Sequence, residues 1–144
     1  MELADYATLG AEEHGLTVVS TARADGSIQS SVVNAGVLAH PVSGAHVIGF
    51  VTYGRAKLTN LRARPWATLT VRSGWRWATA EGTAEIAGPD DPLPGVADDD
   101  LPSLLRAIFT AAGGTHDDWD EFDAVMVRDR RSAVLVTPTR IYSN

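Results

Sequence analysis

The chain has 144 residues, which suffices for one hydrophobic core, since single domains run to about 100–200 residues. It contains no cysteine, and this excludes a disulfide framework, a thiolate zinc site, an iron–sulfur cluster and a cysteine nucleophile. The formal net charge of −6 argues against general nucleic-acid binding, because phosphate backbones are bound by clustered Lys and Arg.

The composition along the chain indicates a single domain over residues 1–144. No apolar run approaches the roughly 18 residues that span a bilayer. The acidic opening, residues 1–5, lacks the basic region of a signal peptide. We therefore expect a soluble cytoplasmic protein with no membrane segment.

The charges are distributed unevenly. Residues 47–80 hold six basic residues and no acid, whereas residues 90–123 hold ten acids and the single base Arg106. The basic segment is suited to an anionic ligand. Alternatively, the acids and bases pair across the folded surface. The composition leaves both interpretations open.

The first half of the chain predicts two helices and a three-stranded meander between them. Gly15 ends the first helix, and Gly49 marks a bulge or a point of close approach in the third strand. Pro65 ends the second helix. The predicted elements are a helix over 3–14, strands over 16–21, 28–38 and 46–52, and a helix over 55–64.

The second half of the chain predicts further strands and two helices. Gly74 forms a hairpin turn between two of the strands, and Asp117 and Asp118 can cap the last helix. Six or seven antiparallel strands with short helices indicate a mainly β fold, a small barrel, with a sandwich as the alternative. The predicted elements are strands over 66–73 and 77–86, a helix over 101–112, a short helix containing Trp119, Phe122 and Val125, and strands over 133–136 and 139–142.

Most motifs of catalysis are absent. The chain has no GxGxxG, P-loop or GxSxG pattern, which leaves Rossmann, NTPase and α/β-hydrolase functions without sequence support. The four histidines show no recurring ligand spacing, and although His40 and His46 flank one hairpin, we predict no metal site. The acids at 117–121 lack the glycine and distal glutamate of a calcium loop.

One segment has the features of a ligand site, at the point where the third predicted strand ends and the second predicted helix begins. A helix N-terminus has unpaired N–H groups and partial positive charge, and Gly54 lets a ligand approach the backbone. Arg55 and Lys57 add two charged donors in the first turn, where cations oppose the helix dipole unless an anion offsets them. This pattern predicts a phosphate site; the alternative is a solvated helix face that carries two bases.

The same region resembles a known family. The stretch RAKLTNLRARP over residues 55–65, with the ADGS turn at 24–27 and EGTAE at 81–85, resembles the pyridoxamine-phosphate-oxidase-like flavin and deazaflavin oxidoreductases. It is similar in particular to the short actinobacterial members that use coenzyme F420. The resemblance covers residues 10–88 best, and it implies a split β-barrel fold.

The resemblance also implies a homodimer with the cofactor at the interface. Arg55 and Lys57 would hold the phosphate, Thr52 would approach it, and residues 31–34 would line the ring. Trp77 would be contributed by the partner subunit, although Trp75 and Trp77 also fit ordinary rim positions. The implied cofactor-binding residues are Ser31, Val32, Val33, Asn34, Thr52, Arg55, Lys57 and Trp77, and no side chain is implied to be catalytic.

The activity expected from this resemblance is hydride transfer from reduced coenzyme F420 to a conjugated organic acceptor. The coenzyme has an acidic tail beyond its phosphate, so Arg62, Arg64 and Arg72 are further candidates for contacts. The alternatives are an FMN-dependent oxidoreductase on the same fold and a protein that binds a cofactor or small ligand without turnover. The C-terminus lacks the Trp- and Arg-containing substrate motif of enzymes that oxidise vitamin B6.

Overall fold

Four α-helices and six antiparallel strands make up the computed structural model, which describes residues 1–144. Sheet pairing runs in the order β1-β2-β3-β6-β5-β4, and β4 pairs with β1 to close a barrel. The helices are α1 (Leu3–Glu12), α2 (Arg55–Ala63), α3 (Leu101–Ala111) and α4 (Trp119–Arg128), and the strands are β1 (Leu16–Ala22), β2 (Ile28–Ala39), β3 (His46–Thr52), β4 (Trp66–Ser73), β5 (Arg76–Ala87) and β6 (Ser132–Ser143).

This architecture confirms the predicted mainly β barrel with short helices, and it excludes the sandwich. The β1–β2–β3 meander is present with continuous antiparallel register. Asp118 caps α4 as predicted, because its Oδ1 accepts the N–H of Glu121 at 3.1 Å. None of the helices is long and apolar enough to cross a membrane.

The two predicted closing strands are wrong: β6 is one strand of 12 residues. Pro138, which has no N–H to donate, lies between the two predicted segments. In the structure Pro138 pairs with Gly82 and Arg140 with Glu81, so Thr139 is an extra residue that bulges out of the ladder. A Cβ on Gly82 would lie 1.9 Å from the Thr137 oxygen, so glycine is required for this close approach.

Gly49 is a close-approach point and not a bulge. Its register with both neighbouring strands is regular. A Cβ there would lie 2.8 Å from Leu38 Cδ2 and 3.1 Å from Ile108 Cγ1. The missing side chain thus lets α3 pack closely against β3.

Two apolar clusters stabilise the molecule. One fills the barrel, with Phe50 and Leu69 fully buried. The other joins the outside of the barrel to α3 and α4 through Ile108 and Phe122. Each such side chain contributes about 1.5–3 kcal/mol when buried. The second cluster holds α3 and α4 beside β2 and β3, where they border the candidate site.

Candidate functional site

The site arises where β2 and β3 separate. Their pairing runs from Ala39 opposite His46 to Ala35 opposite Phe50 and then stops. Beyond this point residues 28–34 of β2 pair only with β1, whereas the end of β3 pairs with β6. The barrel wall is therefore split, and backbone groups on this edge of β2 are left without a strand partner.

A cleft of about 660 Å³ occupies the split and is covered on its other side by α3 and α4. Most of its lining is apolar, and no carboxylate contributes to it. Two cationic side chains do, Lys57 and Arg131. The lining residues are Val32, Val33, Asn34, Val51, Thr52, Tyr53, Gly54, Lys57, Ile108, Phe109, Ala112, Phe122, Met126 and Arg131.

Lys57 is held against the end of the split. Its Nζ donates to Ser31 Oγ at 2.9 Å, which connects α2 to β2. A Cβ on Gly54 would lie 3.1 Å from the same Nζ, so glycine leaves room for the lysine to fold back over the helix start. Burial lowers the pKa of Lys57 below its ordinary value. Nothing acidic offsets that charge in the cleft.

The start of α2 has the features of an anion site. Gly54 is the N-cap residue, no side chain caps the helix, and the first turn contains no acid. Thr52 is buried, and its Oγ1 accepts the N–H of Gly54 at 3.1 Å. Its hydroxyl hydrogen donates to no protein group and is free for a ligand.

The predicted residues fall into two groups. The cleft brings together Val32, Val33, Asn34, Thr52 and Lys57, and Ser31 joins them through its bond to Lys57.

The other two predicted residues, Arg55 and Trp77, lie outside the cleft. Arg55 is exposed beside it and makes no hydrogen bond or ion pair. Trp77 lies on the outer surface of β5, 37% exposed, with its ring edge against Tyr142 at 6.1 Å between centroids. Trp75, at the adjacent turn, is 94% exposed, so neither tryptophan packs inside the barrel.

Three basic residues of the segment 47–80 are bound by groups of the protein itself. Arg62 makes two hydrogen bonds to Asp91, at 2.8 and 2.6 Å, so it is paired across the surface. Arg64 donates to the Ala22 carbonyl, and Arg72 donates to the Gly74 carbonyl in its own hairpin. None of these three candidates for tail contacts lines the cleft.

Arg106, the one base of the acidic segment, connects the two helices that cover the cleft. It forms two hydrogen bonds to Asp123 of α4, at 2.9 and 2.5 Å. Its guanidinium also lies 5.4 Å from the ring centroid of Trp119. The Asp123 carboxyl pKa is lowered by this hydrogen bond to Arg106.

Sequence reasoning missed the opposite wall of the cleft. Tyr53 and Arg131 extend the β3–β6 register by one step beyond Thr52 and Ser132, and they stack with 4.2 Å between the guanidinium carbon and the ring centroid. This contact depends on the pairing of β3 with β6, which joins segments about 80 residues apart and leaves no local sequence signal.

Both ring nitrogens of His40 have partners in the protein. His40 Nε2 and Glu85 Oε1 are 2.9 Å apart, and His40 Nδ1 accepts the N–H groups of Val42 and Ser43. No group of three His, Cys, Asp or Glu side chains is arranged to hold a metal ion.

Fold and cleft together define a split barrel with an apolar, cationic cleft, and comparison with known proteins gives the family. The family model described as pyridoxamine 5'-phosphate oxidase matches residues 7–144. The chain belongs to this family.

Solved structures share the fold at low sequence identity. The conserved hypothetical protein Rv2991 of Mycobacterium tuberculosis is 20% identical, with a TM-score of 0.69 over 99% of this chain and 84% of that one. A protein described as an F420 reductase is also 20% identical, with a TM-score of 0.57 over 88% of each chain. A pyridoxamine 5'-phosphate oxidase-related, FMN-binding protein of Nostoc punctiforme is 11% identical, with a TM-score of 0.66 over 98% of this chain and 80% of that one.

Proposed function

We propose that the cleft binds a flavin-type cofactor through its anionic group and that the protein is an oxidoreductase. The observation that carries this proposal is the pair of cations, Lys57 and Arg131, in an apolar cleft without any acid. Such charges are costly unless a counter-charge is present. Lys57 has none, and Arg131 has only Asp129, which it shares with Arg128. A ligand with an apolar ring and an anionic tail meets both requirements.

The residues present fit such a cofactor. Val32 and Val33 offer an apolar surface to a ring, and the unpaired edge of β2 offers backbone N–H and C=O groups to its heteroatoms. Lys57, Thr52 and the start of α2 would hold a phosphate, with Arg55 beside them. The cleft volume of about 660 Å³ lies within the usual range of about 300–1,000 Å³ for ligand sites.

For the cofactor we propose coenzyme F420. A reduced deazaflavin supplies a hydride to a conjugated organic acceptor. The protein's part is to hold ring and acceptor together and to exclude water, and Phe109, Phe122 and Met126 form an apolar wall suited to that role. No catalytic side chain is required. The structural relative described as an F420 reductase supports this choice.

The second candidate is FMN, favoured by the relative described as FMN-binding. Titration of the purified protein with FMN and with coenzyme F420, followed by fluorescence, separates the two. We expect tighter binding of coenzyme F420. Tighter binding of FMN, or a protein that purifies yellow with bound flavin, would favour the FMN-dependent enzyme.

A turnover assay separates an enzyme from a protein that only carries its ligand. Reduced coenzyme F420 should be oxidised faster with protein and a conjugated acceptor together than with either alone. Binding without acceleration across a broad panel of acceptors would support the non-catalytic alternative.

We also propose that the protein is a homodimer. Leu16, Val18 and Val32 are 47%, 42% and 62% exposed on neighbouring strands, with Val18 paired to Val32 in the register. A contiguous apolar surface of this kind is covered by a partner in many oligomers. A second subunit would also explain the outward position of Trp77, which the family resemblance assigns to the partner's cofactor site.

A further inference from the structure

The two cations of the cleft come from different parts of the chain, and only Lys57 belongs to the predicted phosphate site. Lys57 lies at the start of α2, whereas Arg131 lies between α4 and β6. Lys57 donates to Ser31, whereas Arg131 stacks on Tyr53. Arg131 therefore needs an explanation of its own.

Arg131 is held in position by its backbone and by Tyr53. Its N–H donates to the Met126 carbonyl at 3.0 Å, and the preceding Arg130 has a left-handed backbone conformation with φ of 51°. These features form a Schellman-type end to α4 and fix where the Arg131 side chain begins. The Tyr53 ring then covers one face of the guanidinium.

The hydrogen bonds of Arg131 are incomplete. Its Nε is the one buried side-chain nitrogen or oxygen in the protein that has no hydrogen-bond partner. Its only acidic neighbour is Asp129, at 3.4 Å from the terminal nitrogen, and Asp129 also contacts Arg128 at 3.3 Å. Buried donors without acceptors are rare in folded proteins, and each one destabilises the empty state.

We propose that Arg131 is a second anion-binding residue of the cleft and a specificity determinant for ligands with an anionic oxygen group at this position. Tyr53 is the positioning residue that orients the guanidinium. The group is a phosphate or a carboxylate, since both present oxygens in the geometry that a guanidinium binds. This inference rests on the proposed function for its cofactor, though not for the anion itself.

The test compares the parent protein with Arg131→Met, which keeps length and removes charge, and with Arg131→Lys, which keeps charge and loses the planar fork. Arg128→Met is the matched control, because Arg128 shares Asp129 but lies outside the cleft. Binding of riboflavin, FMN and coenzyme F420 is measured by fluorescence titration. Thermal unfolding is measured in inorganic phosphate and in chloride at equal ionic strength.

We expect Arg131→Met to weaken binding of at least one anionic ligand tenfold or more and to change riboflavin affinity by less than twofold. Arg131→Lys should weaken binding less than Arg131→Met does. The affinities of Arg128→Met should stay within twofold of those of the parent. If Arg131→Met binds FMN more weakly than the parent does, the group that Arg131 binds is the phosphate. If only the affinity for coenzyme F420 falls, the group is a carboxylate of its tail. The empty Arg131→Met protein should unfold at the parent's temperature or above, because the unpartnered N–H is gone.

Thermal unfolding in inorganic phosphate tests the anion site without any cofactor. Phosphate should raise the unfolding temperature of the parent more than that of Arg131→Met. If the parent binds no flavin but shows this Arg131-dependent rise, the proposed function fails and the anion site stands. Unchanged binding of FMN and coenzyme F420 by Arg131→Met, with an unchanged phosphate effect, would overturn the inference. So would an equal loss for riboflavin, because Arg131 would then contact the ring.

Discussion

Lys57 combines a charge with partial burial, and its pH behaviour follows from that. Because burial lowers its pKa, Lys57 loses its proton below the ordinary lysine value of about 10.4. Phosphate is dianionic well below that range. We therefore expect the affinity for FMN to fall as pH rises through the alkaline range, measured by titration at a series of pH values.

Lys57→Arg is the control, since a guanidinium stays charged throughout the alkaline range of this titration. Its affinity for FMN should be flat over the same range. The stability of the empty protein should instead increase over the same pH range. The unfolded chain keeps the Lys57 proton to higher pH than the folded chain, so this group's contribution to stability increases as pH rises. An affinity that is independent of pH in the parent would contradict a role for Lys57 in phosphate binding.

Arg130 is a non-glycine residue in the left-handed region, with φ of 51°. That conformation costs a residue with a Cβ about 1–2 kcal/mol, and glycine usually occupies this position after a helix. Arg130→Gly should therefore be more stable than Arg130→Ala by about 1 kcal/mol in denaturant unfolding. Both variants lose the exposed ion pair between Arg130 and Asp90, so the difference between them reports the backbone effect alone. Equal stability of the two variants would contradict the backbone argument.

At the scale of elements, the cleft depends on how closely α3 approaches β2. A Cβ on Gly36 would lie 2.2 Å from the backbone C and O of Ala111, and backbone cannot rotate away. Gly36→Ala should push α3 outward and destabilise the fold by about 1–3 kcal/mol, the usual scale for overpacking. Denaturant unfolding measures the loss. FMN affinity should fall as well, because Ile108 and Phe109 of α3 line the cleft. Parent-like stability would show that α3 can shift freely.

The sequence predicts elements where the signal is local. Turn glycines and β-branched runs correctly indicated the first five strands, and Pro65 marked the end of α2. The continuation of β6 past Pro138 was not predicted, because the bulge that accommodates this residue depends on Gly82, 56 positions away.

The same division holds for the site. Thr52 and Lys57 lie in one short segment of the sequence, and both line the cleft; their role in binding a phosphate stays a prediction. Arg131 reaches the cleft only through the pairing of β3 with β6, and the walls from α3 and α4 depend on tertiary packing that no local pattern encodes.

At the scale of the whole molecule, the exposed surface of β1 and β2 predicts association. Sedimentation at micromolar concentration should give a dimer, because Leu16, Val18 and Val32 present apolar surface to solvent in the single chain. Val18→Lys should shift the protein toward monomer while leaving its fold intact, since this side chain already points outward. A parent protein that is monomeric and still binds its cofactor at full affinity would contradict a site shared between subunits.

We propose that the cleft binds a flavin-type cofactor by its anion at Lys57. The most direct measurement is the ratio of riboflavin to FMN dissociation constants in the parent and in Lys57→Met, since the two ligands differ only by the phosphate. A hydrogen bond to a charged group contributes about 1.5–3 kcal/mol, which is roughly ten- to more than a hundredfold in affinity. We predict that the parent prefers FMN by at least tenfold and that Lys57→Met loses most of this preference. Equal affinities in the parent, or an unchanged preference in Lys57→Met, would contradict the claim.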